Sequence, residues 1–388
     1  MSSLFKIRVS RTVIAYMVTV LFVSMAIALF TPVCALFLAD EVHASRFQIG
    51  MFFTVQGFFT IFLTQIIAKY SDVYGGRKMI IAWGCLCGSV SFLIFAYCRD
   101  YLLILLTGAF ILSMSQIGAQ FFASAREYCI YTKRNIYTFN SILRACFALA
   151  WVIGPPIALG FVGTYGFKSI FLATIAVYII VVTLTFFALP NTNYEKPDSD
   201  NIRKIKLFSD RSVIFLCATT MCVFICNNMY MITMPQYTTH ELGFDVGYVG
   251  IFVATAAGIE IPVMVISGQI AKRINMKYIL LFGLFCGVAY NAVISHMTTV
   301  TGFLSAQVLN ALFIGTFTSL GMLYFQELLP KIPGQATTLF TNSIAIGSIA
   351  AGAISGIISE NFGFITVFNA CVVVSFISFV CMSLVRKI

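Results

Sequence analysis

The sequence predicts an all-α membrane protein, with twelve transmembrane helices in two pseudo-symmetric six-helix bundles. Three observations predict it. Of 388 residues, 60% are hydrophobic and only 10% charged, against about 25% charged in an ordinary soluble domain. Apolar runs of roughly 18 residues or more recur along the whole length, each enough to cross a hydrocarbon core of about 30 Å. The second half also echoes the first at an offset near 200 residues.

Taken in order, the runs fall at 12–38, 48–69, 79–97, 102–124, 138–162, 169–189, 212–236, 246–270, 277–296, 301–326, 336–359 and 365–385. The first is too long, and lacks the small-residue cleavage site, for a removable signal. The second ends in a basic, glycine-containing segment, 68–78, that reads as a tight turn. The longest polar break, 191–211, follows Pro190 and carries Pro197 among mixed charges. It reads as a cytoplasmic linker between a first bundle, 1–190, and a second, 212–388. In the echo, 68–78 lies opposite 268–277, Arg126-Glu127 opposite Gln326-Glu327, and Asn140-Ser141 near Asn342-Ser343. Weak internal symmetry with a site at the repeat interface is how secondary transporters are built.

The net charge of +10 suggests a nucleic-acid partner only until it is mapped. With the N-terminus inside and twelve crossings, twenty of the 24 Lys and Arg residues fall at cytoplasmic segments, while Arg46, Arg99 and Lys168 are outside. The positive-inside rule therefore puts both termini in the cytoplasm, and the basicity is topological. No G-x-x-x-x-G-K-[ST] loop is present for ATP-driven pumping. The twelve cysteines include the close pairs Cys85/Cys87 and Cys222/Cys226, neither with the His or second pair that zinc spacing needs. No metal site, cofactor or enzyme chemistry is expected. A multi-pass membrane monomer handling a small molecule is.

Arg144 is the one cation inside a span, with Trp151 seven residues on. Seven residues is close to two helical turns, so both project from one face. Such an arginine normally faces a bundle interior or aqueous cavity, and its rigid fork of donors suits vicinal hydroxyls. Tryptophan offers a flat platform for the carbon face of a sugar. The plain alternative is an arginine tied to a neighbouring helix and a tryptophan that packs. Span four carries Ser113, Gln116, Gln120, Ser124 and Glu127 at steps of three and four, a polar stripe that faces either a cavity or another helix. Span seven offers Asn227, Asn228 and Tyr230 before Pro235, span ten Gln307 and Asn310, and span eleven Thr338, Thr341 and Asn342. Uncharged amides and hydroxyls suit a neutral polyol. Glu260 is the one acid well inside a span; a carboxyl out of water can exchange a proton at working pH, as a proton carrier requires. A permanent structural ion pair is the duller possibility. Asp40, Glu41 and His43, with His240-Glu241, read as caps or gates at the outer ends of spans one and seven.

The 68–78 segment resembles the loop signature of the major facilitator superfamily, G-x-x-x-D-[RK]-x-G-[RK]-[RK], at Asp72, Gly75, Arg77 and Lys78, with Ala68, Val73 and Gly76 departing from it. The resemblance implies a latch closing the cytoplasmic face. Trp151 to Pro156 is similar to the Gly-Pro motif of that superfamily's antiporters, although the outer glycine pair is incomplete at Leu159-Gly160. More specific resemblances cover nearly the whole chain. Phe37 to Ala44, Ala148 to Pro156, Thr255 to Pro262 and Gly321 to Gln326 resemble the bacterial sugar efflux transporter family. That implies proton-driven export of sugars or glycosides across the inner membrane. Arg144 and Trp151 also resemble the arrangement in lactose permeases, where the partner carboxylate in span four corresponds to Glu127, one residue off. Two other readings stay open: a multidrug exporter on the same scaffold, and a non-transporting membrane sensor.

Overall fold

A computed structural model describes residues 10–386, apart from Gly75, Gln116, Asn135, 191–209 and 331–332. Side chains at 68–69, 72–74, 136–138, 141 and 333–334 are also outside the description. Twelve described helices are long and apolar enough to cross a membrane. They are α1 (Arg11–Asp40), α2 (Arg46–Tyr74), α3 (Arg77–Tyr97), α4 (Tyr101–Tyr131), α5 (Ile136–Tyr165), α6 (Phe167–Phe187), α7 (Arg211–Glu241), α8 (Val246–Ile270), α9 (Met276–Ile294), α10 (Val300–Leu328), α11 (Pro333–Phe362) and α12 (Phe364–Leu384).

Capping side chains fix where several of these helices start. Ser10, Asp100, Asp210, Asp245, Asn275 and Thr299 each accept a hydrogen bond from a backbone N–H of the first turn, satisfying donors that have no partner in the helix. Gly166 and Gly363, at φ 75° and 82°, make the sharp turns α5–α6 and α11–α12, a backbone region that only glycine enters cheaply. The repeat is visible in side chains as well. Lys78 at the start of α3 donates to the Leu189 carbonyl, and Lys277 at the start of α9 donates to those of Ser383 and Val385.

Several helices run past the apolar stretches that announce them. α2 continues to Tyr74, so most of the expected 68–78 turn is helix, and Arg211 already opens α7 behind its Asp210 cap. The rest of the expected linker, 191–209, lies outside the described residues. The fourth span is not one continuous helix: Ile104–Gly108 widens into a π turn, and the helix breaks between Met114 and Gly118. At the break Ser115 turns both its N–H and its hydroxyl onto the Leu112 carbonyl, and Tyr178 of α6 donates to the same hydroxyl.

The first six helices and the last six meet along two long pairs, α2 with α11 and α5 with α8, with α1 against α7 between them. Both pairs cross through glycine. A Cβ on Gly352 of α11 would lie 2.7 Å from the Gly50 carbonyl oxygen of α2, and a Cβ on Gly250 of α8 would lie 2.7 Å from that of Pro155 of α5. Neither position has room for a side chain, and the bare backbones bring the helices together closely.

Candidate functional site

Both crossings lie toward one end of the bundle, the end where α1 runs into α2. There polar groups also bridge the two halves. Asp40 meets His240 at 2.7 Å and Arg46 meets Glu241 at 3.4 Å. Arg46 also donates to the Ser359 carbonyl and lies 4.0 Å over the Phe364 ring, and the Phe47 N–H donates to Glu360. Deeper in, Thr54 donates to the Ile349 carbonyl. Exposed ion pairs are worth about 1 kcal/mol or less each, so helix packing closes this end and the pairs fix its register. Glu41, expected among the gate residues, pairs within its own half with Arg99 at 2.8 Å. His43 sits in the loop at φ 54°.

At the opposite end, where Arg77 lies, no hydrogen bond between described residues joins the halves. Arg144, Thr338, Thr341 and Asn342 are exposed toward that end.

Arg144 lies on α5 eleven residues before Pro155, about three helical turns, and Trp151 lies four residues before it, about one turn. All three share one line along the helix. The Pro155 carbonyl at the end of that line packs on Gly250 of α8, with the Cα of Pro156 beside it, so this side of the helix adjoins the second half. The Arg144 guanidinium has no hydrogen bond or ion pair among the described residues; its carbon sits 5.7 Å from the centre of the Phe122 ring. Trp151 is half-buried against a hydrophobic cluster to which both halves contribute.

Glu260 is half-buried on α8 and likewise makes no hydrogen bond or ion pair among the described residues. It shares a helical stripe with Val263, which packs on Gly315, and Ser267, which bonds Ser319 at 2.9 Å, both on α10. Helices α5 and α8 are antiparallel. From their crossing, Glu260 lies about 15 Å along α8 and Arg144 about 17 Å along α5, toward the same end, at 1.5 Å per residue. The cation and the acid therefore sit at one depth, on adjacent helices. Neither is committed to another partner.

Glu127 does not go to Arg144. Arg77, at the start of α3, donates from Nε to Glu127 at 2.7 Å and from Nη1 to Gln120 at 2.7 Å and Ser71 at 2.9 Å. The reason is positional: Arg77 follows the short turn out of α2 and its fork reaches the α4 face directly. The span-four stripe is spent on neighbouring helices, with Ser113 donating to the Gln56 carbonyl and Ser124 bonded to Tyr16 at 3.2 Å. Gln116, Gly75 and the Asp72 side chain lie outside the described residues. The Arg77–Glu127 pair is largely buried, at 12% and 19% exposure. Arg77→Gln should thus lower the stability of the solubilised protein by about 3 kcal/mol, read as a fall in the thermal unfolding midpoint. A midpoint equal to wild type would remove the cluster from the fold's support.

The expected amides divide. Asn310 donates to Gln307, which donates to the Tyr230 hydroxyl at 3.1 Å; all three are buried, on α7 and α10 of the second half. Asn342 is exposed beside Thr338 and Thr341, and Asn227 is half-buried without a hydrogen bond among the described residues. Asn228 donates to Ser348 at 3.0 Å and the Phe224 carbonyl. It also lines a cavity of about 160 Å³ between the halves, with Thr31, Gln56, Ser115 and Tyr178. Sequence reasoning missed Gln56, although an amide within the second apolar run was the signal for it.

The chain matches the Major Facilitator Superfamily model over residues 16–304. Sugar efflux transporter A of Escherichia coli (strain K12) is 35% identical over 366 residues, covering 94% of this chain and 93% of its own. Sugar efflux transporter A of Dickeya chrysanthemi is 33% identical over 375 residues, covering 96% and 95%. Among solved structures, the nucleoside transporter NupG superposes with a TM-score of 0.80 at 13% identity, covering 97% of this chain and 100% of that one. A bacterial homolog of the human lysosomal transporter Spinster, in an inward-facing and occupied conformation, gives 0.81 at 13% identity, covering 96% of each. At such identities the solved structures speak for the fold alone.

Proposed function

The chain belongs to the sugar efflux transporter family of the major facilitator superfamily, and from that premise we propose that it exports sugars or glycosides by proton antiport with alternating access. The observation that carries the reading is the pair of uncommitted charges, Arg144 and Glu260, at one depth on adjacent helices of two halves that polar groups bridge at the other end only, among the described residues. The Arg77 end is taken as cytoplasmic on the distribution of Lys and Arg, with both termini there. In the state seen, the outer end is shut and the saccharide is loaded from the cytoplasm.

The cycle follows from the two charges. Arg144 holds vicinal hydroxyls through its fork of donors, and Trp151, about two turns further along the same face, stacks on the sugar ring. Glu260 alternates between carrying a proton and facing Arg144 or the sugar, so that proton arrival from outside releases the saccharide. The two bundles then rock about the midplane site. The unit of transport is one chain.

The test is uptake of labelled saccharides into inside-out membrane vesicles, with and without an imposed pH gradient. Accumulation that collapses with the gradient is the expected result. Uptake that ignores the gradient would remove the protons, and uptake of cationic dyes without any saccharide would turn the reading to multidrug efflux on the same fold.

A further inference from the structure

A second cavity, of about 280 Å³, lies between α4 and α5 at the Arg77 end. Its walls include Phe122, Arg126, Cys129, Phe139, Asn140 and Leu143. It is near the size of the smaller ligand pockets in proteins, about 300 Å³. Arg126 is exposed and has no hydrogen bond or ion pair among the described residues, and Asn140 is half-buried with none either. Asn140 precedes Arg144 by one helical turn, so the two share a face of α5. The Phe122 ring that lines the cavity is the one under the Arg144 guanidinium. The Arg126 guanidinium and the Asn140 amide thus border the hollow, and the Arg144 guanidinium stands beside its Phe122 wall.

Among the described residues no carboxylate forms an ion pair with Arg126 or Arg144. Glu127, next to Arg126 in the chain, is held by Arg77 through a 2.7 Å ion pair. An anion entering the hollow would gain a charge-assisted hydrogen bond from Arg126, with the second unpaired cation, Arg144, beside the Phe122 wall. A neutral hexose needs only one such fork. We propose that this hollow is an anion subsite, and that the saccharides preferred by this transporter carry a carboxylate or phosphate group. Arg126 and Asn140 take the anionic group, while Arg144 spans from it to the hydroxyls of the ring. The subsite rests on the export reading above and adds the substrate class to it.

The experiment compares efflux of methyl glucoside, glucuronate and glucose 6-phosphate in inside-out vesicles carrying wild type, Arg126→Gln or Arg126→Lys. The expected result is a wild-type preference for at least one anionic sugar over methyl glucoside. In Arg126→Gln the anionic-to-neutral ratio falls by about tenfold or more, the size of one charged hydrogen bond, and Arg126→Lys restores most of it. Preference for glucuronate alone or for glucose 6-phosphate alone assigns the anion as carboxylate or phosphate. An equal ratio in wild type and Arg126→Gln overturns the subsite and leaves sugar export standing; transport of no saccharide by wild type overturns both. Should Arg126→Gln fail to reach the membrane, thermal unfolding of the purified wild-type protein decides. A midpoint raised by glucuronate or glucose 6-phosphate but not by methyl glucoside supports the subsite, and equal midpoints with all three overturn it.

Discussion

Arg144→Lys is expected to abolish export, cutting the initial rate of saccharide efflux by about a hundredfold or more at unchanged abundance in the membrane. The charge survives the substitution, so the loss isolates geometry. A guanidinium places two parallel N–H donors on adjacent hydroxyls, whereas an ammonium is a compact point charge on a flexible stem. Losing one charge-assisted bond and misplacing the other removes about 3 kcal/mol, which is the factor quoted. Since Arg144 has no hydrogen bond or ion pair among the described residues, the variant disturbs little that holds the fold. Efflux at the wild-type rate would take Arg144 out of the site.

Glu260→Gln is expected to remove pH-driven accumulation entirely while exchange of labelled for unlabelled sugar across the vesicle membrane continues. Glutamine keeps the shape and hydrogen-bonding capacity of the protonated acid but cannot release a proton, so the carrier is fixed in one half of its cycle. Exchange needs only the sugar-bound conformations and survives. Net export against a gradient needs the proton to leave and does not. Rates measured between pH 5.5 and pH 8, both approximate limits set to bracket the working range of a desolvated carboxyl, should lose their slope in the variant. An unchanged pH dependence would show that the proton is carried elsewhere.

How much of this could be read in the sequence depended on what kind of fact each element was. The twelve helices were legible because hydrocarbon thickness sets their length, and length is written directly in apolar runs. Arg144 and Glu260 were legible as rare charges in apolar surroundings, which need a reason to be there. Their common depth was not, since it follows from where α5 and α8 cross, and Gly250 against Pro155 and Pro156 is a contact between residues almost a hundred apart. Glu127 was assigned to the wrong arginine for the same reason. Spacing along one helix says which face a side chain is on but not which of two neighbours lies against that face. Asn310 went astray differently: a buried amide looks the same in sequence whether it waits for a ligand or serves a Gln307–Tyr230 network.

The near contact of Gly50 with Gly352 has a mechanical consequence. Gly50 lies four residues from one end of α2 and 24 from the other, or about 6 Å and 36 Å at 1.5 Å per residue. If that point is the fulcrum, a small rotation of one bundle swings the far tip about six times as far as the near one. Such a lever opens the mouth at the Arg77 end widely and scarcely moves the opposite rim, so that rim can part only if the fulcrum itself travels along α2. The next smooth seat on α2 is Gly57, two turns along, where an added Cβ would sit 3.0 Å from Ile349. The bundles would then roll over one another like gear flanks, with glycine at each point of bearing.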